Sequence, residues 1–102
     1  LKVFGTAIVG VEENSLSQLN VLIYPNPTRG NFTLSFDNNS SQPVSAYLTD
    51  LTGRRMINMI NAESLVKGNH KQLINSESLH SGIYFVVIEQ AGSRTVKKLV
   101  VQ

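Results

Sequence analysis

From residue 20 onward, apolar and polar residues alternate with a period of two. Residues 31–37 (NFTLSFD) set Phe32, Leu34 and Phe36 against Thr33 and Ser35, and residues 44–50 (VSAYLTD) set Val44, Ala46 and Leu48 against Ser45, Tyr47 and Thr49. Alternation sends successive side chains to opposite faces of an extended chain, so both stretches predict half-buried β-strands. A short strand precedes them at 20–24 (NVLIY). Weaker ones follow at 54–60, where Met56 is placed to fill an irregular gap in the core, and at 70–74. Turn signals separate these runs. In Pro25-Asn26-Pro27-Thr28-Arg29-Gly30 two prolines remove backbone donors and Gly30 is expected to supply the permissive φ that turns the chain back. Residues 38–43 (NNSSQP) form a polar turn cluster, and Asp50-Leu51-Thr52-Gly53 a tight turn whose aspartate can cap the turn amides. Residues 62–68 read as a loop, with one helical turn at Glu63-Ser64-Leu65-Val66 as the alternative.

The last stretch, 79–102, departs from simple alternation. Apolar runs at 83–88 and 95–101 flank Ala91-Gly92-Ser93, which predicts a β-hairpin with Gly92-Ser93 as a type II′ turn. That turn pairs Val86 with Leu99 and Tyr84 with Val101. One face then carries Tyr84, Val86, Ile88, Leu99 and Val101, the other Ile83, Phe85, Val87, Val96 and Val100. Charge lies only toward the turn (Glu89, Arg94, Lys97, Lys98), so the far end is apolar on both faces and calls for a second layer or another protein to cover it. A last strand also has one edge whose donors and acceptors are free to extend a partner's sheet. Leu79, Gly82 and Tyr84 fit a tyrosine corner, in which the phenol bonds back to nearby backbone. About seven short strands at spacings of roughly 8–12 residues predict an all-β, immunoglobulin-like antiparallel sandwich.

Composition adds bounds. A chain of 102 residues is one domain with a short appendage, and a 41% hydrophobic, 16% charged make-up is globular. Residues 1–19, which end in the polar, acidic VEENSLSQL, read as a linker and the end of an upstream domain, and residues 20–102 as the domain proper. No signal-peptide pattern opens the chain, so any such segment is expected upstream. There is no cysteine, hence no disulfide framework and no thiolate metal site. A net charge of +2 is too small to argue for nucleic acid. Its distribution is uneven: residues 1–50 hold two basic and four acidic groups, residues 51–102 seven and three. No apolar run approaches the ~20 residues of a membrane helix.

Catalytic patterns are missing from the sequence. His70 and His80 have no ligand at i+3 or i+4, Asp37 and Asp50 sit where turns need capping, and no serine lies in a nucleophile motif. Glycines occur singly, so no phosphate-cradling loop is formed. The chain reads as no enzyme, with neither cofactor nor metal.

YPNPTRGNFTL, Asp50-Leu51-Thr52-Gly53-Arg54, LHSGIYFVVIE and KKLVV follow one another in that order. With them, the chain closely resembles the type A C-terminal sorting domain of the type IX (Por) secretion system, over about residues 20–102. The matching positions are Pro25, Asn26, Pro27, Gly30, Asp50, Gly53, Gly82 and Tyr84, then Lys97, Lys98, Leu99, Val100 and Val101. Gln102 stands where many members end in a basic residue. The resemblance implies an immunoglobulin-like domain at the C-terminus of a cargo exported through the periplasm of a Gram-negative bacterium to the cell surface or medium. It implies as partners the outer-membrane translocon with its shuttle components, and a surface sortase-like peptidase that removes the domain, leaving the cargo anchored or released. Lys97, Lys98, Leu99, Val100 and Val101 are the candidate translocon contacts, and a free last edge also leaves self-association open. The alternative is an accessory carbohydrate-binding or fibronectin-like spacer sandwich. The first of these needs an aromatic platform, and the chain offers no Trp and only Tyr24, Tyr47 and Tyr84.

Overall fold

The computed structural model describes residues 20–102, so the linker expected at 1–19 lies outside the described residues. Seven strands follow in order: β1 (Leu22–Tyr24), β2 (Asn31–Asn38), β3 (Val44–Thr49), β4 (Arg55–Glu63), β5 (Gly68–Asn75), β6 (Gly82–Gln90) and β7 (Ser93–Val101). They form two antiparallel sheets, β1-β2-β5 and β4-β3-β6-β7. The fold is the expected β-sandwich. Its fourth strand pairs with the third and not in the sheet of the first, second and fifth, unlike the four-and-three division of a constant-type immunoglobulin domain.

The period-two faces meet as their chemistry requires. Phe32, Leu34, Phe36 and Ile74 of one sheet face Val44, Ala46, Leu48, Tyr84, Val86, Ile88, Leu99 and Val101 of the other, all buried. Each large side chain withdrawn from water contributes about 1.5–3 kcal/mol, so this inner layer is what drives the sheets together. Met56 does not join it. A register shift between β3 and β4 turns Met56 outward at 38% exposure and brings Met59 and Ile60 into the core instead.

The closing hairpin pairs two residues out of the expected register. Its turn is Ala91-Gly92, with φ of +50° and +81°, the type I′ pattern, and Tyr84 faces Leu99 while Val101 faces Gly82. The observed register sets Glu89 opposite Arg94, Val87 opposite Val96 and Ile83 opposite Val100, matching charge with charge and apolar with apolar. Because the slip is two residues, no side chain changes face. Both predicted faces survive intact.

Other differences are local. Strand β4 runs on through Glu63, shortening the loop to residues 64–67. Asn38, read from sequence as a turn residue, ends β2 and is fully buried. Its amide donates to the Leu65 and Val66 carbonyls and its Oδ1 accepts from Gln90 Nε2, so every polar atom is satisfied without water. Gly30 is not in the left-handed region. Its carbonyl is the useful atom, accepting from the Ser76 backbone amide and hydroxyl.

Candidate functional site

Strand directions decide where the motif residues meet. Strand β2 begins, β3 ends, β6 begins and β7 ends at the same end of the sandwich, since Thr49 pairs with Phe85, Gly82 with Val101, and Val101 bridges to Thr28. That end therefore collects Pro25, Asn26, Pro27 and Gly30 with Asp50, Gly53, Gly82, Tyr84, Val100 and Val101. The opposite end carries the Ala91-Gly92 turn and the Asn38–Gln90 pair.

The 25–30 loop is a clasp on the last strand. Asn26 Nδ2 donates to the Lys98 carbonyl at 2.8 Å and Asn26 Oδ1 accepts from the Val100 amide at 3.0 Å. One residue pair further, the Thr28 amide donates to Val100 O at 2.9 Å and Gln102 N donates to Thr28 O at 2.8 Å. Thr28 is buried, and its hydroxyl donates to Asn31 O and accepts from Gly30 N, which fixes the loop's return into β2. The peptide bonds before Pro25 and Pro27 are both cis. Pro25 and Pro27 are exposed, and neither needs the amide hydrogen it lacks. Sequence reasoning named Asn26 as a motif position but missed Thr28. Polar residues beside a glycine and two prolines look like any turn, and their partners lie more than seventy positions away.

This clasp corrects the expectation of a free last edge. Strand β7 is an edge strand, yet from the Lys98 carbonyl onward its outward groups are taken by Asn26 and Thr28. Alternate residues of a strand point their backbone groups to the same side, so among the described residues the unpaired stretch comprises Arg94 N and O, Val96 N and O, and Lys98 N.

The candidate contact residues divide by face. Leu99 and Val101 are buried and hold the strand from within, Val100 is half-buried on the outer face, and Lys97 and Lys98 are exposed without an ion partner among the described residues. The outer face of the hairpin is partly covered after all. Val87 is buried beside Tyr47, whose ring carries the Arg55 guanidinium at 3.8 Å and whose hydroxyl donates to Glu89. Ile83 and Val96 stay open, at 41% and 49% exposure.

The other motif positions are structural. Asp50 Oδ1 accepts from the Thr52 amide and hydroxyl and from the Arg54 amide, and Gly53 at φ +90° closes the turn. The Thr52 hydroxyl above all, then the backbone amides of Arg54 and Thr52, hold the Asp50 carboxyl below its ordinary value. Tyr84 Oη donates to His80 O at 2.7 Å, a tyrosine corner, and Gly82 lies beside its ring. Asp37 caps no turn; it lies in β2 and accepts from Asn69 and Asn20. His70 stacks on Phe36 with its Nε2 on the Val66 carbonyl. Tyr47 and Tyr84 are buried, leaving Tyr24 as the one exposed tyrosine, which is no aromatic platform. Among the described residues no helix is long and apolar enough to cross a membrane.

Residues 22–102 match the family described as the secretion system C-terminal sorting domain. No curated protein matches the chain.

Proposed function

The chain belongs to the secretion system C-terminal sorting domain family, and from that premise we propose that it is the removable address of an exported cargo. Domains of this family are sorting signals for type IX secretion, are not catalytic, and imply interaction with the type IX machinery and export to the surface or the extracellular space. In our reading, residues 20–102 engage the outer-membrane translocon and its shuttle components as a folded unit and carry out no chemistry. A surface peptidase of sortase type then cuts within 1–19, and the cargo is anchored or released. Strand β7 is the contact element, with Lys98 and Val100 on its outer face, Lys97 exposed on the inward side of its edge, and Leu99 and Val101 holding the strand in place. The observation that carries the reading is the reach of the match. It runs through all seven strands, so the address is a whole domain and not a short tail.

The test is a signal-peptide-bearing reporter fused to the full chain, expressed in a bacterium with a type IX system. We expect the reporter outside the outer membrane, and mass spectrometry should find its new C-terminus within 1–19. A second fusion lacking residues 99–102 should stay in the periplasm. It counts only if melting shows the shortened domain folded, because Leu99 and Val101 are core residues. A folded, intact domain whose reporter never leaves the periplasm sinks the proposal.

A further inference from the structure

We propose that the unclasped stretch of the β7 edge, residues 94–98, is a strand-addition site for an extended acidic partner segment that carries an apolar residue opposite Val96. Four strands of the sandwich lie at sheet edges. β1 is three residues long. β4 is broken by register shifts, and its Met59 carbonyl already accepts from Gln72 of β5, which ties those two edges to each other. β5 runs eight residues in unbroken register; β7 runs nine, and it is the edge that joins an unpaired run of main-chain groups to three cations, Arg94, Lys97 and Lys98. A sheet edge in that condition is a template for another strand.

The side chains specify the occupant. Arg94, Lys97 and Lys98 crowd this stretch, and among the described residues only Arg94 has a counter-ion, Glu89 at 3.6 Å. Lys97 lies on the inward side of the edge near Leu22 and Asp37, and Lys98 on the outer side, so carboxylates on either face of an added strand find a cation. Exposed Val96 sits between Arg94 and Lys98 on the outer face, beside its cross-strand partner Val87, which places an apolar side chain of the added strand at that one position. A second copy of β7 is the wrong occupant, because it would bring three further cations against these three. The clasp gives the site its end. With Lys98 O, Val100 and Gln102 already bonded to Asn26 and Thr28, pairing that starts at Arg94 stops at the Lys98 amide.

This inference rests on the sorting-signal reading for its biological use, but its physical test does not. The probe is the capped peptide Glu-Glu-Val-Thr-Glu, which in antiparallel pairing sets a glutamate opposite each of Lys98, Lys97 and Arg94 and its valine opposite Val96, added to the isotope-labelled full chain. We expect the amides of Arg94, Val96 and Lys98 to shift and gain exchange protection while those of Val100 and Gln102 hold still. The same peptide with lysine in place of each glutamate should leave all five unchanged. The double variant Lys97→Glu, Lys98→Glu changes two exposed side chains and should weaken peptide binding by about tenfold or more. Val96→Pro, which removes one edge donor, should abolish protection at its neighbours with the melting midpoint checked alongside. Either variant fused to the reporter should lower export. No protection on β7, equal binding of the lysine peptide, or sedimentation of the free chain as a β7-mediated dimer would overturn the proposal. If the unaltered chain binds the peptide but exports no reporter, the sorting reading fails and the edge site stands. If it exports and both variants export and bind as well as it does, the edge site fails alone.

Discussion

The two halves of β7 share one strand and differ in almost everything else. Residues 98–102 are locked twice, by Leu99 and Val101 in the core and by Asn26 and Thr28 along the edge. Residues 93–97 include no fully buried side chain and, among the described residues, have no partner on the open edge. The contrast teaches that a sorting domain can keep its last strand in register without sealing it. The half nearest the motif-bearing end supplies stability, and the half nearest the hairpin turn leaves its outward hydrogen-bonding groups open.

Leu99→Ala should break the locked half most severely. Truncating a fully buried leucine costs about 2–5 kcal/mol, read as a lower denaturation midpoint. A loss no larger than that of Val96→Ala would remove the distinction between the halves. Asn26→Ala comes next. It frees the Val100 amide and the Lys98 carbonyl together, so it should cost about 1–3 kcal/mol and raise Val100 amide exchange toward that of Val96. Asn26→Asp sharpens the point, since it keeps the acceptor for Val100 N but sets a carboxylate against Lys98 O, and only the first bond should persist.

Acid should act on the same end of the sandwich through Asp50. Its carboxyl titrates below the ordinary 3.8 because the Thr52 hydroxyl and the turn amides stabilise the charged form. A lowered folded pKa means that the contribution is present above the unfolded carboxylate pKa and disappears as pH falls through the folded value. Stability of the native chain should thus decline below about pH 4 with a component that Asp50→Asn lacks, and carbon-detected titration of Asp50 should inflect below that of an unfolded aspartate. The smallest effect is expected in the open half. Val96→Thr should shift stability by no more than about 0.5 kcal/mol, because no core contact or hydrogen bond is lost.

Much of this protein was determined by its sequence alone. Period-two patterning assigns the faces of β2, β3, β6 and β7, and the assignment outlives a wrong turn because parity survives a two-residue slip. The Asp50 turn and the Tyr84 corner are legible for a related reason. Their partners lie within four residues, so local spacing carries the signal. What tertiary structure decided is of another kind. That β4 joins β3, that Asn38 is a buried link to Gln90, and that Asn26 and Thr28 clasp the last strand all depend on contacts dozens of residues apart. The clasp acts mostly on main-chain amides and carbonyls, which nearly every residue possesses, so no side-chain pattern in β7 marks which of them are taken. Only the folded chain, by bringing residues 26–28 beside residues 98–102, divides that edge into a closed half and an open one.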